Sequence, residues 1–549
     1  MGKKFLIAAS IASFTFFHKW RQILDPASDR YFFYKKTFPR WVEISAVTCN
    51  ILLLAALALP VVFMALRSGT RRPVPAAQLA LLAWVLIPLN ALRLQSDALN
   101  FPNLYRRLGW AGLLLLGLCL LSAAAFAFRR FGVDKVTRAV ASAFLIMSLF
   151  TPFAYVQGIW MAAKYEGTFA APTPAAPPLN AGQGRGSRVL WLIFDELDYR
   201  LLYAERPASL EAPEFDRLRA EALYATDAYP PSVYTTKSLP ALTTGRLVAH
   251  SKAVSPHELS LRLDGVDEWV SWDTLPNVFT RARAAGYDAA VVGWYLPYCR
   301  LFGASLTKCS WHPHITEDPP EEHNVAGNMW LQWREVVLSL PLVLRLLPSD
   351  VTVNHTRVNQ QAAGIYAATL RDTLGAAADP GLDFVMVHMP VPHPPSFYDR
   401  ASGRLALGRK NSYLDGLALV DRTLGEIRAA MERAGLWDST AVLVSGDHWW
   451  RAREVHQPGA TWPDIGWSAE DSQVMPQESD QRVPFVLKFP GRNEGTTYDR
   501  PFNTVLSADL LLNVLGGEVA DACGADAWLD ANKTISKSPY CDIDQKAAP

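Results

Sequence analysis

Apolar residues crowd into the first third of the chain and then change their spacing. Four runs there, Ile44–Leu66, Ala77–Leu92, Leu108–Phe128 and Val136–Trp160, are almost unbroken in hydrophobic character. A helix rises about 1.5 Å per residue and a bilayer core is about 30 Å thick, so runs of roughly 20 residues predict membrane-spanning helices. The pairs Arg71-Arg72, Arg106-Arg107 and Arg129-Arg130 flank these runs. A fifth run, Phe5–Phe17, follows Lys3-Lys4 and no small-residue cleavage site comes after it. It therefore predicts a first spanning helix extended towards Trp20 rather than a removable leader. Five helices starting from a cytoplasmic N-terminus would place the basic segment 18–41 outside, so loop charge alone leaves the orientation open. The expected membrane region is 1–165, with about five helices.

Beyond it, residues 166–187 hold Pro, Ala and Gly without periodicity, as a linker does. From 188 to 549 the pattern becomes short β-rich runs separated by helical stretches. SRVLWLIF ends at Asp195, AAVVGW at Trp294, DFVMVHMP precedes His393, and TAVLVSG ends at Asp447-His448. Strands alternating with helices predict an α/β fold with a central sheet between helices, preceded by the transmembrane helix bundle. Functional groups in such sheets gather beyond the carboxyl ends of strands, where Asp195, Glu196, Asp447 and His448 sit.

Charge removes one class of partner. Lys+Arg 53 against Asp+Glu 52 leaves a formal charge of +1, with no global pull towards nucleic acid. Of six Cys, Cys49 and Cys119 fall in apolar spans. The others, Cys299 with Cys309 and Cys523 with Cys541, predict two local disulfides in an oxidising compartment.

Asp195-Glu196 closes an apolar strand, and two adjoining acids there repel unless a cation or basic group neutralises them. Asp447-His448 repeats the situation. The segment PSVYTTKSLPALTTGRL is dense in hydroxyls and predicts a helix beginning near Ser238, with Thr235 at or just before its N-terminus. Thr235 there is either a helix cap or a nucleophile placed where unpaired N–H groups favour an anionic oxygen.

Taken in order, these motifs resemble the alkaline phosphatase/sulfatase superfamily over roughly residues 188–520. VLWLIFDE looks like its first metal-binding strand, Thr235 to Arg246 its nucleophile segment, and VLVSGDH its late Ser-Asp-His strand. VPFVLKFPG and SADLLLNVLG are similar to the strand and closing helix that follow. The resemblance implies that Thr235 is the nucleophile and that Asp195, Glu196, Thr235, Asp447 and His448 hold a divalent metal. Zinc or manganese is implied, as one or two ions, with His456 a further ligand for a second. It also implies substrate contacts from His393, His388, Ser238 and Lys237.

Sulfatases carry a Cys or Ser that is oxidised, followed by a Pro and an Arg; here Thr235, Lys237 and Leu239 stand instead. The family's Lys-Trp-His strand reads Gly293-Trp294-Tyr295. The overall plan is similar to the membrane-bound phosphoethanolamine and phosphoglycerol transferases of bacterial envelopes, including lipoteichoic acid synthases. That resemblance implies a multi-pass protein of the bacterial inner membrane with a periplasmic catalytic domain. Its donor would be a membrane lipid and its acceptor a lipid or glycan. The alternatives are a membrane-anchored phosphodiesterase, phosphatase or other sulfatase-like hydrolase, or a non-catalytic scaffold on the same fold.

Overall fold

The computed structural model describes residues 2–24, 32–33, 39–67, 73–93, 99, 101–165, 175–179, 188–313, 324–340, 355–452, 467–475, 480–491, 494–533 and 535–541. Among them, four helices are long and apolar enough to cross a membrane: Arg40–Ala65, Pro75–Arg93, Arg107–Phe131 and Val133–Lys164. Their outer surfaces stay apolar, with Leu114 68% and Leu121 69% exposed. In a bilayer that exposure carries no hydrophobic penalty. The N-terminal run forms two helices, Gly2–Thr15 and Phe17–Leu24, interrupted at Phe16. Ile7, Ile11 and Phe14 of the first pack with Val62, Leu81 and Phe144 of the others, so this segment belongs to the bundle.

The second half is an α/β unit around an eight-stranded sheet. Its order is Thr496–Tyr498, Leu223–Ala225, Phe485–Lys488, Thr440–Gly446, Arg188–Phe194, Phe384–Met389, Ala289–Trp294, Lys308–His312. Pairing is parallel across the last five of these and antiparallel where Phe485–Lys488 joins its neighbours, so the sheet is mixed. The inner strands are buried along their whole length because helices cover both faces, which is why they read as unbroken apolar runs. One face packs Trp191, Ile193, Met386 and Leu443 against Leu239, Phe279 and Leu511. The other packs Leu192, Val387 and Val444 against Leu417, Val420 and Leu424.

Register positions the chemistry. Phe194 lies opposite both Gly446 and Met389, and Ile193 opposite His388 and Ser445. Asp195 and Asp447 therefore leave adjacent strands side by side, and His388, level with Ile193, shares their face two positions back, since side chains alternate with period two.

Two expectations change. Cys299 and Cys309 form a disulfide, but Cys523 and Cys541 do not. Cys523 is exposed on the helix Ala522–Asn532, whereas Cys541 is buried with Val233 and Trp449 and donates to the Pro230 carbonyl at 3.4 Å. Part of the expected linker is also fastened down. Ala176 N–H donates to Leu306 O at 2.8 Å and Leu179 N–H to Asp288 Oδ1 at 3.0 Å.

Gly293 shows how closely the sheet is fitted. A Cβ there would lie 2.3 Å from Cδ2 of Tyr298, a fully buried ring. Gly293→Ala is expected to force that ring aside and cost about 1–3 kcal/mol, the usual scale of overpacking. Thermal unfolding in detergent would read this as a lowered midpoint, and an unchanged midpoint would contradict the fit.

Candidate metal centre

The helix Thr235–Thr244 starts above the shared carboxyl edge of the two central strands. Its N-cap is Tyr234, with no side-chain cap bond, so the Thr235 hydroxyl is not spent on capping. Ser238, one turn on, donates to the Asp447 carbonyl at 2.6 Å and clamps the helix to that strand end. The Thr235 side chain is thereby held at the strand ends, its Oγ1 3.2 Å from His448 Nε2.

Asp195, His388 and Asp447 converge here, all buried, with ligand atoms within 4.8 Å of one another. His448 Nε2 faces the same point, 3.6 Å from Asp195 Oδ1 and 3.4 Å from Asp447 Oδ2. Several inward-facing atoms of this cluster have no hydrogen-bond partner. The ring Nδ1 of His448 lies 3.0 Å from the Trp449 carbonyl, which can only accept, so Nδ1 carries the hydrogen and Nε2 offers a lone pair. His388 Nδ1 bonds the Tyr298 hydroxyl at 3.0 Å, and its Nε2 has no hydrogen-bond partner. Asp447 Oδ1 accepts from the N–H groups of Glu196 and His448, at 3.0 and 2.8 Å, but its Oδ2 and Asp195 Oδ1 are without partners.

Buried polar atoms are ordinarily hydrogen-bonded. Lone pairs aimed at one another therefore fit a cation, and the mix of carboxylate oxygen and imidazole nitrogen suits a divalent metal. Ionisation follows the same logic. Burial raises Asp447 well above the usual carboxylate range, and the Asp195 charge raises it further. Burial opposes the Asp195 charge too, but His393, His388 and His448 together hold that carboxyl below its ordinary value. Burial, then Arg451, pushes His448 down to about 4, so the imidazole is neutral and free to donate its lone pair.

The other expected residues separate. Glu196 does not join the cluster: its backbone is left-handed at φ 64, and its Oε1 accepts from Arg451 Nε at 2.6 Å. His393 stands beside the Trp294 ring, centroids 5.6 Å apart, with Nδ1 donating to Pro394 O at 2.7 Å. Lys237 Nζ lies over the Tyr234 and Tyr540 rings at 5.6 and 5.9 Å. His388, expected at the substrate, sits inside the cluster of carboxylates. His456 lies outside the described residues. Trp449 and Trp450 are core residues, the second stacked on Tyr413 at 4.2 Å.

Three contributors escaped the sequence reading. Tyr298 orients His388, Arg451 neutralises Glu196, and Tyr413 donates to the Glu196 carbonyl at 2.5 Å. Arg451 lies only four residues after Asp447, and a search for a counter-charge to the second acid would have found it.

A protein-family model described as Sulfatase matches residues 187–516. Among solved structures, a protein in the alkaline phosphatase superfamily from Vibrio parahaemolyticus is 14% identical, with a TM-score of 0.37 over 62% of this chain and 69% of that one. The phosphonate monoester hydrolase of Agrobacterium radiobacter is 18% identical, with a TM-score of 0.35 over 60% and 74%. The PsFucS1 sulfatase from Pseudoalteromonas sp. is 17% identical, with a TM-score of 0.39 over 61% and 68%. No curated protein sequence matches the chain.

Asp447→Asn removes one anionic donor while keeping its shape. The expected outcome is a lower metal-to-protein ratio by elemental analysis of the purified membrane protein, with secondary structure retained. An unchanged ratio would count against the centre.

Proposed function

The chain belongs to the sulfatase family, and from that premise we propose a membrane-anchored, metal-dependent phosphotransferase that moves a phospholipid head group onto an envelope lipid or glycan. The observation that carries the reading is the uncapped Thr235 hydroxyl at a helix N-terminus, 3.2 Å from the lone pair of a neutral imidazole. A threonine cannot be oxidised to the aldehyde that sulfate-ester cleavage uses, whereas its hydroxyl can be phosphorylated.

Asp195, His388, Asp447 and His448 would hold the divalent ion, with zinc or manganese suited to this donor set. When bound, such an ion lowers the pKa of a neighbouring hydroxyl and balances charge on a phosphoryl group. The remaining work belongs to the protein. Thr235 Oγ1 forms a bond to the lipid phosphorus as the bond to the diacylglycerol oxygen breaks, and the hydroxyl proton ends on that leaving oxygen. The N–H groups of Thr235 and Thr236 head the helix and are placed for the phosphoryl oxygens, those of Lys237 and Ser238 being donated to the Tyr234 carbonyl. An acceptor hydroxyl then attacks the phospho-threonine and restores Thr235. His393, beside Trp294, is placed to contact the head group.

The spanning helices keep such a donor close at hand. They also accord with an inner-membrane protein whose catalytic domain faces the periplasm, the compartment in which the Cys299–Cys309 disulfide persists.

Thr235→Ala is expected to lower turnover on the order of 10³-fold or more, the scale of losing a nucleophile, with folding and membrane insertion intact. Mass spectrometry of wild-type protein incubated with phospholipid should find Thr235 carrying a phosphoryl head group. Normal turnover in the variant would sink the assignment. Release of head-group phosphate to water, with no label reaching lipid or glycan, would move the protein to the hydrolases.

A further inference from the structure

Between the strand Lys308–His312 and the helix His355–Ala377, the catalytic half sends out the helix Val325–Leu338, which packs on the spanning helix Arg40–Ala65. One of its faces is tied down by polar groups. Asn50 Nδ2 donates to Gln332 Oε1 at 2.9 Å and to the Met329 carbonyl at 3.1 Å, and both Asn50 and Gln332 are fully buried. Lys19 Nζ pairs with Glu335 Oε1 at 3.0 Å, and the Trp333 ring meets Phe16 edge-on at 5.1 Å. Just past the helix, the Ser339 carbonyl accepts from Asn90 Nδ2 at 3.1 Å.

These partners mark one end of the bundle. Lys19 belongs to the helix that ends at Leu24, and Asn90 lies one turn before the end of Pro75–Arg93. Asn50 is further in, ten residues after Arg40, which is about 15 Å along the helix axis. A helix hydrogen-bonded at that depth lies alongside the span rather than above it.

Its other face carries Ala326, Trp330, Arg334 and Val337, all exposed, with Trp330 at 67% and Val337 at 45%. An indole, short apolar chains and one guanidinium able to extend towards phosphates make up the composition of the membrane–water interface. We propose that Val325–Leu338 is a membrane-seated arm of the catalytic domain, with Trp330 and Val337 against lipid at the head-group level. The arm fixes the catalytic domain to the bilayer surface through Asn50, independently of the chain connection near residue 165. The inference rests on the bundle lying in a bilayer, as the proposed function also requires.

The test uses full-length protein in vesicles of phosphatidylethanolamine and phosphatidylglycerol. A photo-crosslinking benzoyl-phenylalanine is installed singly at positions 330, 114 and 405, and adducts are identified by mass spectrometry. Leu114 faces outward on a spanning helix and Leu405 is exposed in the catalytic half. The expected result is phospholipid adduct at 330 comparable with that at 114, and its loss at 405. Lipid captured at 114 but only water or protein at 330 would overturn the arm and leave the membrane reading intact. Absence of lipid at 114 as well would overturn both. Equal capture at 330 and 405 would mean that labelling at 330 reflects no particular seat, which also rejects the arm.

Discussion

Buried polar atoms left without hydrogen-bond partners, at the carboxyl ends of neighbouring parallel strands, are the constraint that the catalytic half is arranged around. Such a cluster is unfavourable by itself, since buried anions repel and burial penalises their charge. Strand pairing holds it together. Phe194 stands opposite Gly446 and Met389, so the backbone ladder delivers Asp195, Asp447 and His388 to one point whatever their side chains prefer. Supporting hydrogen bonds then choose which atoms face inward. Trp449 O and Tyr298 Oη occupy the outer nitrogens of the two histidines, and two backbone N–H groups occupy Asp447 Oδ1. The inward atoms are what is left, a cage preorganised for a cation.

Charge explains why the second acid stands aside. Were Glu196 to join Asp195 and Asp447, three carboxylates would face a divalent ion and leave a net negative site. Arg451 removes that excess by pairing with Glu196, and the two remaining carboxylates match a charge of +2. The arrangement requires a left-handed backbone at Glu196, an unfavourable conformation for a residue with a side chain. Tyr413, donating to the Glu196 carbonyl, and Asp447, accepting from its N–H, hold it there. Strain of this kind beside a binding site persists because the surroundings over-determine it.

Much of this was legible in the sequence, for identifiable reasons. Buried parallel strands must be continuous apolar runs, so their polar termini at Asp195 and Asp447-His448 stood out. Spanning helices announce themselves by length, and three of the four runs fall within the four helices, the first overrunning its helix by Leu66 alone. What escaped depends on pairings between distant segments. Nothing local distinguishes Tyr298 as the partner of His388, ninety positions away, or assigns Glu196 to Arg451 rather than to a metal. The Cys523–Cys541 pairing failed likewise: sequence proximity does not bring an exposed helix position to a buried thiol. Trp449 and Trp450 are buried because each finds a partner from elsewhere, Val233 for the first and Tyr413 for the second.

The two halves of the molecule also meet close to the centre itself. Phe33, from the segment between the first two membrane helices, stacks on Tyr295 with ring centroids 4.5 Å apart and planes 9° from parallel. Tyr295 has φ 63, and its neighbour Trp294 lines the approach to His388 and His393. The wall of the site is thus braced by a residue from the membrane region. A catalytic domain swinging on a flexible linker would have no use for such a contact. One held against the bundle does, because the stacked rings fix the wall of the site relative to the membrane helices.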